Sequence, residues 1–238
     1  MGMAADPPQS DPPADILLAA AFAPELAALD ASFGGATEGH VAGLRVAARA
    51  VGVGLVAAAA GAARHIDRAR PRAVVLLGTC GAYASSNLAL GEVIVSRVVR
   101  LVEPMVFAGS MQFPDPMRTR IACQDRLCEA LARCGARPAD VATTLGITVD
   151  DDAAEIVARS SAAHVEHLEA FAVALACDAA NVPFAAVLGV ANRVGSRGRQ
   201  EWREHHQRAS AGAVEHAVRW IHDGAVGSST EHRRRGSP

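Results

Sequence analysis

Apolar runs closed by short polar turns recur along the chain, and their lengths alternate between those of strands and those of helices. Residues 16–22 (ILLAAAF), 73–77 (AVVLL) and 183–190 (PFAAVLGV) are almost wholly apolar, as strands buried on both faces of a sheet are. Residues 44–53 and 92–102 (EVIVSRVVRLV) read as further strands, the second rich in β-branched residues, and 141–149 as one more. Pro24 and Glu25 open a helix, since proline costs nothing in a first turn and a carboxylate there complements the helix dipole. Residues 54–69, 117–134, 165–180 and 200–223 have helical patterns, and Asp150, Asp151 and Asp152 suit the start of another helix. Gly34 and Gly35 mark a turn, residues 78–83 (GTCGAY) a loop, and 103–116 a longer loop. Strands alternating with helices predict an α/β sheet with helices on both faces. One domain is expected at residues 15–224, between a flexible leader at 1–14 and a flexible tail at 225–238.

Composition removes several classes. Half the residues are apolar, a fifth are charged, and the formal net charge is −2, so no basic footprint predicts a nucleic-acid partner. The basic run at 232–235 reads as a solvated end. No membrane association is expected: the leader lacks a positively charged start, and Arg, Glu and Gly break the alanine-rich runs before spanning length. Five cysteines is an odd count, and Cys123, Cys128 and Cys134 match no zinc spacing. They read as reduced thiols of a cytoplasmic protein.

Chemistry concentrates in four places. At residues 187–197 (VLGVANRVGSR) an apolar strand stops at Asn192 and two arginines, Arg193 and Arg197, follow. Ligands of open α/β sheets sit beyond the carboxyl ends of the strands, although an Asn there also caps its own turn. The loop around Thr79, between Gly78 and Gly81, lets backbone and hydroxyl approach a ligand closely. In HVEHLEAF at 164–171, Glu166 and Glu169 stand three apart, which on a helix puts both carboxylates on one face. Such a pair can divide acid and base work or grip a cis-diol. The glycines of VGVGLVAAAAG at 51–61 fit a dinucleotide turn, but the next strand carries no acidic residue for a ribose, so a plain strand-to-helix turn is the reading. No framework accompanies His164, His167, His205 and His206 as metal ligands, and no G-x-S-x-G elbow exists. Neither a metal nor any other cofactor is expected.

Taken in order, VGVGLVAAAAG, VVLLGTCGAY, LALGEVIVSRVV and VEHLEAFAVALACDAANVPFAAVLGVANRVGSR resemble the nucleoside phosphorylase and nucleosidase superfamily over nearly the whole chain. Within it, ANRVGSRGRQEW at 191–202 is similar to the futalosine hydrolases, which release hypoxanthine from futalosine in menaquinone biosynthesis. The resemblance implies a three-layer α/β/α sandwich with a central mixed sheet, a small-molecule nucleoside substrate and a homo-oligomer. It puts Glu169 at the ribose-binding position, Leu168 where a Met packs on the sugar, and Thr79, near Gly81, at the water or phosphate site. Glu25 stands as the group that activates water. Asn192 replaces the Asp of adenosine-type nucleosidases, which directs the site to hypoxanthine or guanine. Leu76 occupies the place of a phosphate-binding Arg, which favours water as nucleophile over phosphate. Glu166 and Arg197 complete the expected substrate contacts. A purine nucleoside phosphorylase, a methylthioadenosine/adenosylhomocysteine-type nucleosidase and a non-catalytic nucleoside-binding module remain as alternatives. The base-stacking aromatic of related nucleosidases is missing from ITVDDDAAEI, leaving Tyr83 or Phe113 for that place.

Overall fold

The apolar runs pair into one mixed sheet, with nine strands among the described residues, 13–29, 33–34 and 36–228 of this computed structural model. β1 (Ile16–Ala20), β2 (Glu38–Val41), β3 (Leu44–Ala50) and β4 (Ala73–Ala82) form one half. β1 runs parallel to both β3 and β4, and β2 folds back on β3. That hairpin turns through Ala42 and Gly43, whose φ values of 50° and 82° suit a two-residue turn that follows the strand twist. The other half holds β5 (Val93–Leu101), β6 (Arg120–Ala122), β7 (Arg137–Thr143), β8 (Val165–Glu166) and β9 (Phe184–Arg193). β9 pairs with β4 and β5, β5 with β7, β7 with β8, and β8 with the far end of β4. The sheet therefore curls and closes a ring of five strands, in which β5, β7 and β8 run opposite to β4 and β9.

The helices are α1 (Leu55–Ala69), α2 (Pro104–Phe107), α3 (Asp125–Arg133), α4 (Asp151–Ser161), α5 (Ala170–Ala179) and α6 (Gly198–His222). α6 covers β9 and β4, while α1 packs on α5 to form the opposite layer of the α/β/α sandwich. α5 is apolar on nearly every side, as a helix enclosed between layers is. β9 and α6 meet backbone to backbone at Gly189, where a Cβ would lie 2.1 Å from the Ala209 carbonyl oxygen.

Pairing overrides the local pattern in four segments. The expected loop at 78–83 is strand as far as Ala82, because β9 and β8 both hydrogen-bond to it. The expected helix at 117–134 divides: residues 120–122 pair with β5, and α3 begins only where the Gln124 side chain accepts the Leu127 N–H. The expected strand at 141–149 leaves the sheet after Thr143, and Leu145, Ile147 and Val149 stand about 70 % exposed. The expected helix at 165–180 starts as strand β8 and becomes helical only at Ala170.

Residues 225–228 fold back: Ala225 is buried, and Trp220 donates its indole N–H to the Val226 carbonyl. The expected leader up to residue 12, Gly35 of the expected turn, and residues 229–238 with the basic run lie outside the described residues. Gly189→Ala is expected to cost about 1–3 kcal/mol through forced separation of β9 and α6. Urea unfolding measures this, and an unchanged midpoint would contradict the backbone contact.

Candidate functional site

Gly81 sits where three strands meet. Its cross-strand neighbours are Glu166 on β8 and Asn192 on β9, and the register slips between Cys80 and Gly81 in a bulge. Bulges re-aim side chains beside functional sites. A Cβ on Gly81 would lie 2.9 Å from Asn192 Nδ2 and 2.8 Å from Val194 Cγ2, so only glycine leaves this slot open. Asn192 Nδ2 donates to the Arg193 carbonyl at 2.7 Å. A carbonyl only accepts, so an Asp at this position would have to be protonated to make the same contact.

Glu25 lies in the short 3-10 helix Ala23–Leu29 that follows β1. Only 6 % exposed, it accepts hydrogen bonds from the Thr79 N–H (3.1 Å), the Thr79 hydroxyl (3.4 Å) and the Ala21 N–H (3.2 Å). Burial pushes its carboxyl up from the ordinary 4.5 to about 7, against the lowering by the Thr79 amide and with a further rise from the Glu169 charge. Trp202 on α6 donates its indole N–H to Thr79 Oγ1 at 3.0 Å. The indole can only donate, so the Thr79 hydroxyl proton is free for Glu25. His206 stacks on Trp202 with ring centroids 4.2 Å apart and holds the indole in place.

Glu166 and Glu169 do not share a helix face. β8 is extended because it pairs with β4 and β7, and the chain turns into α5 only after His167 accepts the N–H groups of Glu169 and Ala170 on Nδ1. Burial holds the His167 ring in its neutral form, opposed by the Glu169 charge. The 3.3 Å contact between His167 Nδ1 and Glu169 is therefore no ion pair. Glu169 accepts the Gly54 N–H at 2.7 Å, at the start of α1. Glu166 accepts from the Tyr83 hydroxyl (3.0 Å), the Thr148 hydroxyl (2.6 Å) and the Thr148 N–H (3.0 Å).

These groups line one cavity of about 560 Å³, a size typical of small-molecule sites. Glu25, Thr79, Gly81, Glu166, Leu168, Glu169 and Asn192 are all on its wall. Arg197 is not: its side chain, 75 % exposed, pairs with Glu201 at 2.9 Å. Arg193 is likewise engaged, donating to the Leu88 carbonyl at 2.7 Å.

A family profile described as the phosphorylase superfamily matches residues 17–221. The chain belongs to the phosphorylase superfamily. No curated protein matches the sequence. Among solved structures of this fold, the 5′-methylthioadenosine/S-adenosylhomocysteine nucleosidase of Colwellia psychrerythraea, in complex with adenine, superposes with a TM-score of 0.80. It is 20 % identical, over 90 % of this chain and 97 % of that one. The corresponding nucleosidase of Neisseria meningitidis, in complex with methylthio-immucillin-A, gives 0.77 at 19 % identity, over 87 % of this chain and 98 % of that one. A futalosine hydrolase mutant of Helicobacter pylori gives 0.78 at 13 % identity, over 87 % and 98 %. Identities this low establish the shared fold.

Several lining residues carry no signal of their own in the sequence. Trp202 stands out only as the aromatic of ANRVGSRGRQEW, and Phe22 only as the last residue of an apolar run. Among the described residues these two are the Phe, Tyr or Trp rings on the cavity wall. Tyr83 is instead buried behind Glu166, and Phe113 lies elsewhere. His164 Nδ1 accepts the Asp140 N–H, and among the described residues no His, Cys, Asp and Glu cluster could hold a metal. All five cysteines are free thiols, and no described helix is long and apolar enough to cross a membrane.

A carboxyl raised in the folded state binds a proton there that the unfolded chain has lost, so its contribution to stability is present below pH 4.5 and lost as pH rises through about 7. Glu25→Gln removes that loss. Relative to wild type, the variant is expected to gain roughly 2–4 kcal/mol between pH 4.5 and pH 8. Denaturant unfolding at the two pH values checks it, and parallel pH dependences would show an unshifted carboxyl.

Proposed function

We propose that the protein hydrolyses the N-glycosidic bond of a 6-oxopurine nucleoside, futalosine giving hypoxanthine and dehypoxanthine futalosine. The observation that carries this reading is the shared cavity: an amide at residue 192, a buried carboxylate at residue 169 and a high-pKa carboxylate at residue 25 line one wall system.

Asn192 uses one amide hydrogen on the Arg193 carbonyl and offers the other to N7 or O6 of the base, where negative charge builds as the bond breaks. Glu169 holds the ribose diol, and its charge favours the oxocarbenium-like sugar. Glu25 accepts the proton of the attacking water, a task suited to a carboxylate near pH 7, and the 6-oxopurine, which departs as its anion, takes a proton from solvent to give the neutral base. Thr79, fixed by Trp202, orients that water. Leu76 is fully buried in β4 and offers no cation for phosphate, which supports hydrolysis over phosphorolysis. The names of the similar solved structures support a second reading, an adenine nucleoside substrate; against it, Asn192 cannot become the acid that adenine departure draws on.

Glu25 must be ionised to act, so kcat/KM is expected to rise through pH about 7 and then level off. Since Asn192 does not titrate, no falling limb from an acid at that position should follow. Asn192→Ala should lower kcat/KM about 100- to 1000-fold with the fold retained. A loss under about threefold would remove Asn192 from the reaction. The deciding assay is release of the free base, hypoxanthine from futalosine and inosine and adenine from 5′-methylthioadenosine, each with and without phosphate. Release from the 6-oxopurines without phosphate is expected. A phosphate requirement, faster adenine release, or tight binding with no cleavage would overturn the proposal.

A further inference from the structure

Two basic side chains among the described residues line the cavity, and both belong to α6: Arg199 and Arg203. They stand four apart, with Trp202 between them, so the three share one face of the helix. That face runs along the cavity. Gly198 at its start lies against the Asn192 amide, and Trp202 one turn on reaches Thr79 beside Glu25. Arg199 and Arg203 are exposed, which places them at the open side.

Their neighbours on the same helix are already engaged. Arg197 pairs with Glu201, the Glu201 carboxylate also accepts the Arg193 N–H, and Glu204 accepts from Gln200. Arg199 and Arg203 form no hydrogen bond or ion pair with any described residue. The wall deeper in the cavity is of opposite sign, with Glu25, Glu166 and Glu169 all buried. An anionic group is repelled from that wall and attracted to the opening, so a substrate bearing one enters base first and leaves its charge at the mouth.

Resting on the nucleosidase reading above, we propose that Arg199 and Arg203 form an anion site selecting nucleosides with an acidic 5′ substituent, a carboxylate or a phosphate. Arg forks bind either group through paired, charge-assisted hydrogen bonds. Arg193 and Arg197, nearer the end of β9, are not available for this task.

The test uses the full chain and substrates differing in a single charge: 5′-O-succinylinosine and its methyl ester, with inosine 5′-monophosphate as the phosphate arm. The acid is expected to exceed its ester in kcat/KM by about tenfold or more, through KM, and the advantage should shrink with added salt. In the double variant R199Q/R203Q the acid-to-ester ratio should fall to about one. The ratio is the readout, because it cancels any general effect of the variant on the site. An advantage confined to the monophosphate would assign the site to phosphate, and one confined to the succinate to carboxylate. In the wild type, no advantage of the succinate over its ester together with none of the monophosphate over inosine overturns the proposal, as does an advantage left undiminished in the variant. If none of the three is cleaved, the hydrolase reading fails on its own. The anion site is then judged by calorimetric titration of acid and ester against both proteins, with the same ratios deciding.

Discussion

Three carboxylates are buried in one cavity with no arginine among the described residues bonded to them, and the architecture around them is the set of groups that makes this possible. A buried charge costs several kcal/mol unless hydrogen bonds replace its water. Glu25 draws its bonds from the end of β1 and from Thr79 on β4, Glu169 from the backbone at the start of α1, and Glu166 from Tyr83 and Thr148. Each carboxylate thus fastens one segment to another that is distant in sequence. The bulge in β4 and the short pairing of β8 bring those segments to one place.

The lack of counter-cations sets the electrostatics of the cavity. Hydrogen bonds from neutral donors do not fully offset burial at Glu25, and the Glu169 charge adds to the rise. A group held near neutrality can take a proton from water and still be ionised under ordinary conditions, which is the property the proposed reaction uses. The same negative interior makes the two free arginines at the opening the natural place for any anionic part of a ligand. Asn192 fits this setting as well: against the Arg193 carbonyl, an amide donates without needing a proton, whereas a carboxyl would have to be neutralised first.

Much of this was legible from residue order. The long apolar runs at 16–20, 73–77 and 184–190 became central strands because continuous apolar sequence has nowhere else to go. Residues 55–69 and 198–222 became helices close to their expected limits. Seven of the eight expected site residues meet on one cavity wall. Residues 120–122 and 165–166 carry a helical pattern yet are strand, because strand partners, invisible in a local window, claim their backbone. Only the second strand of the hairpin at 38–50 is legible in the sequence, since Ala42 holds a positive φ where a turn signal would be Asn or Asp.

The chain's order of residues therefore determined its family, the composition of the sheet and the identity of the buried acids and amide. Tertiary structure alone decided which arginines are free, that Trp202 reaches Thr79, and that Glu166 and Glu169 approach from a strand and a helix start. The reason is physical: apolar periodicity is written into neighbouring residues, whereas the pairing of a charge or donor depends on what the fold brings within about 3 Å of it.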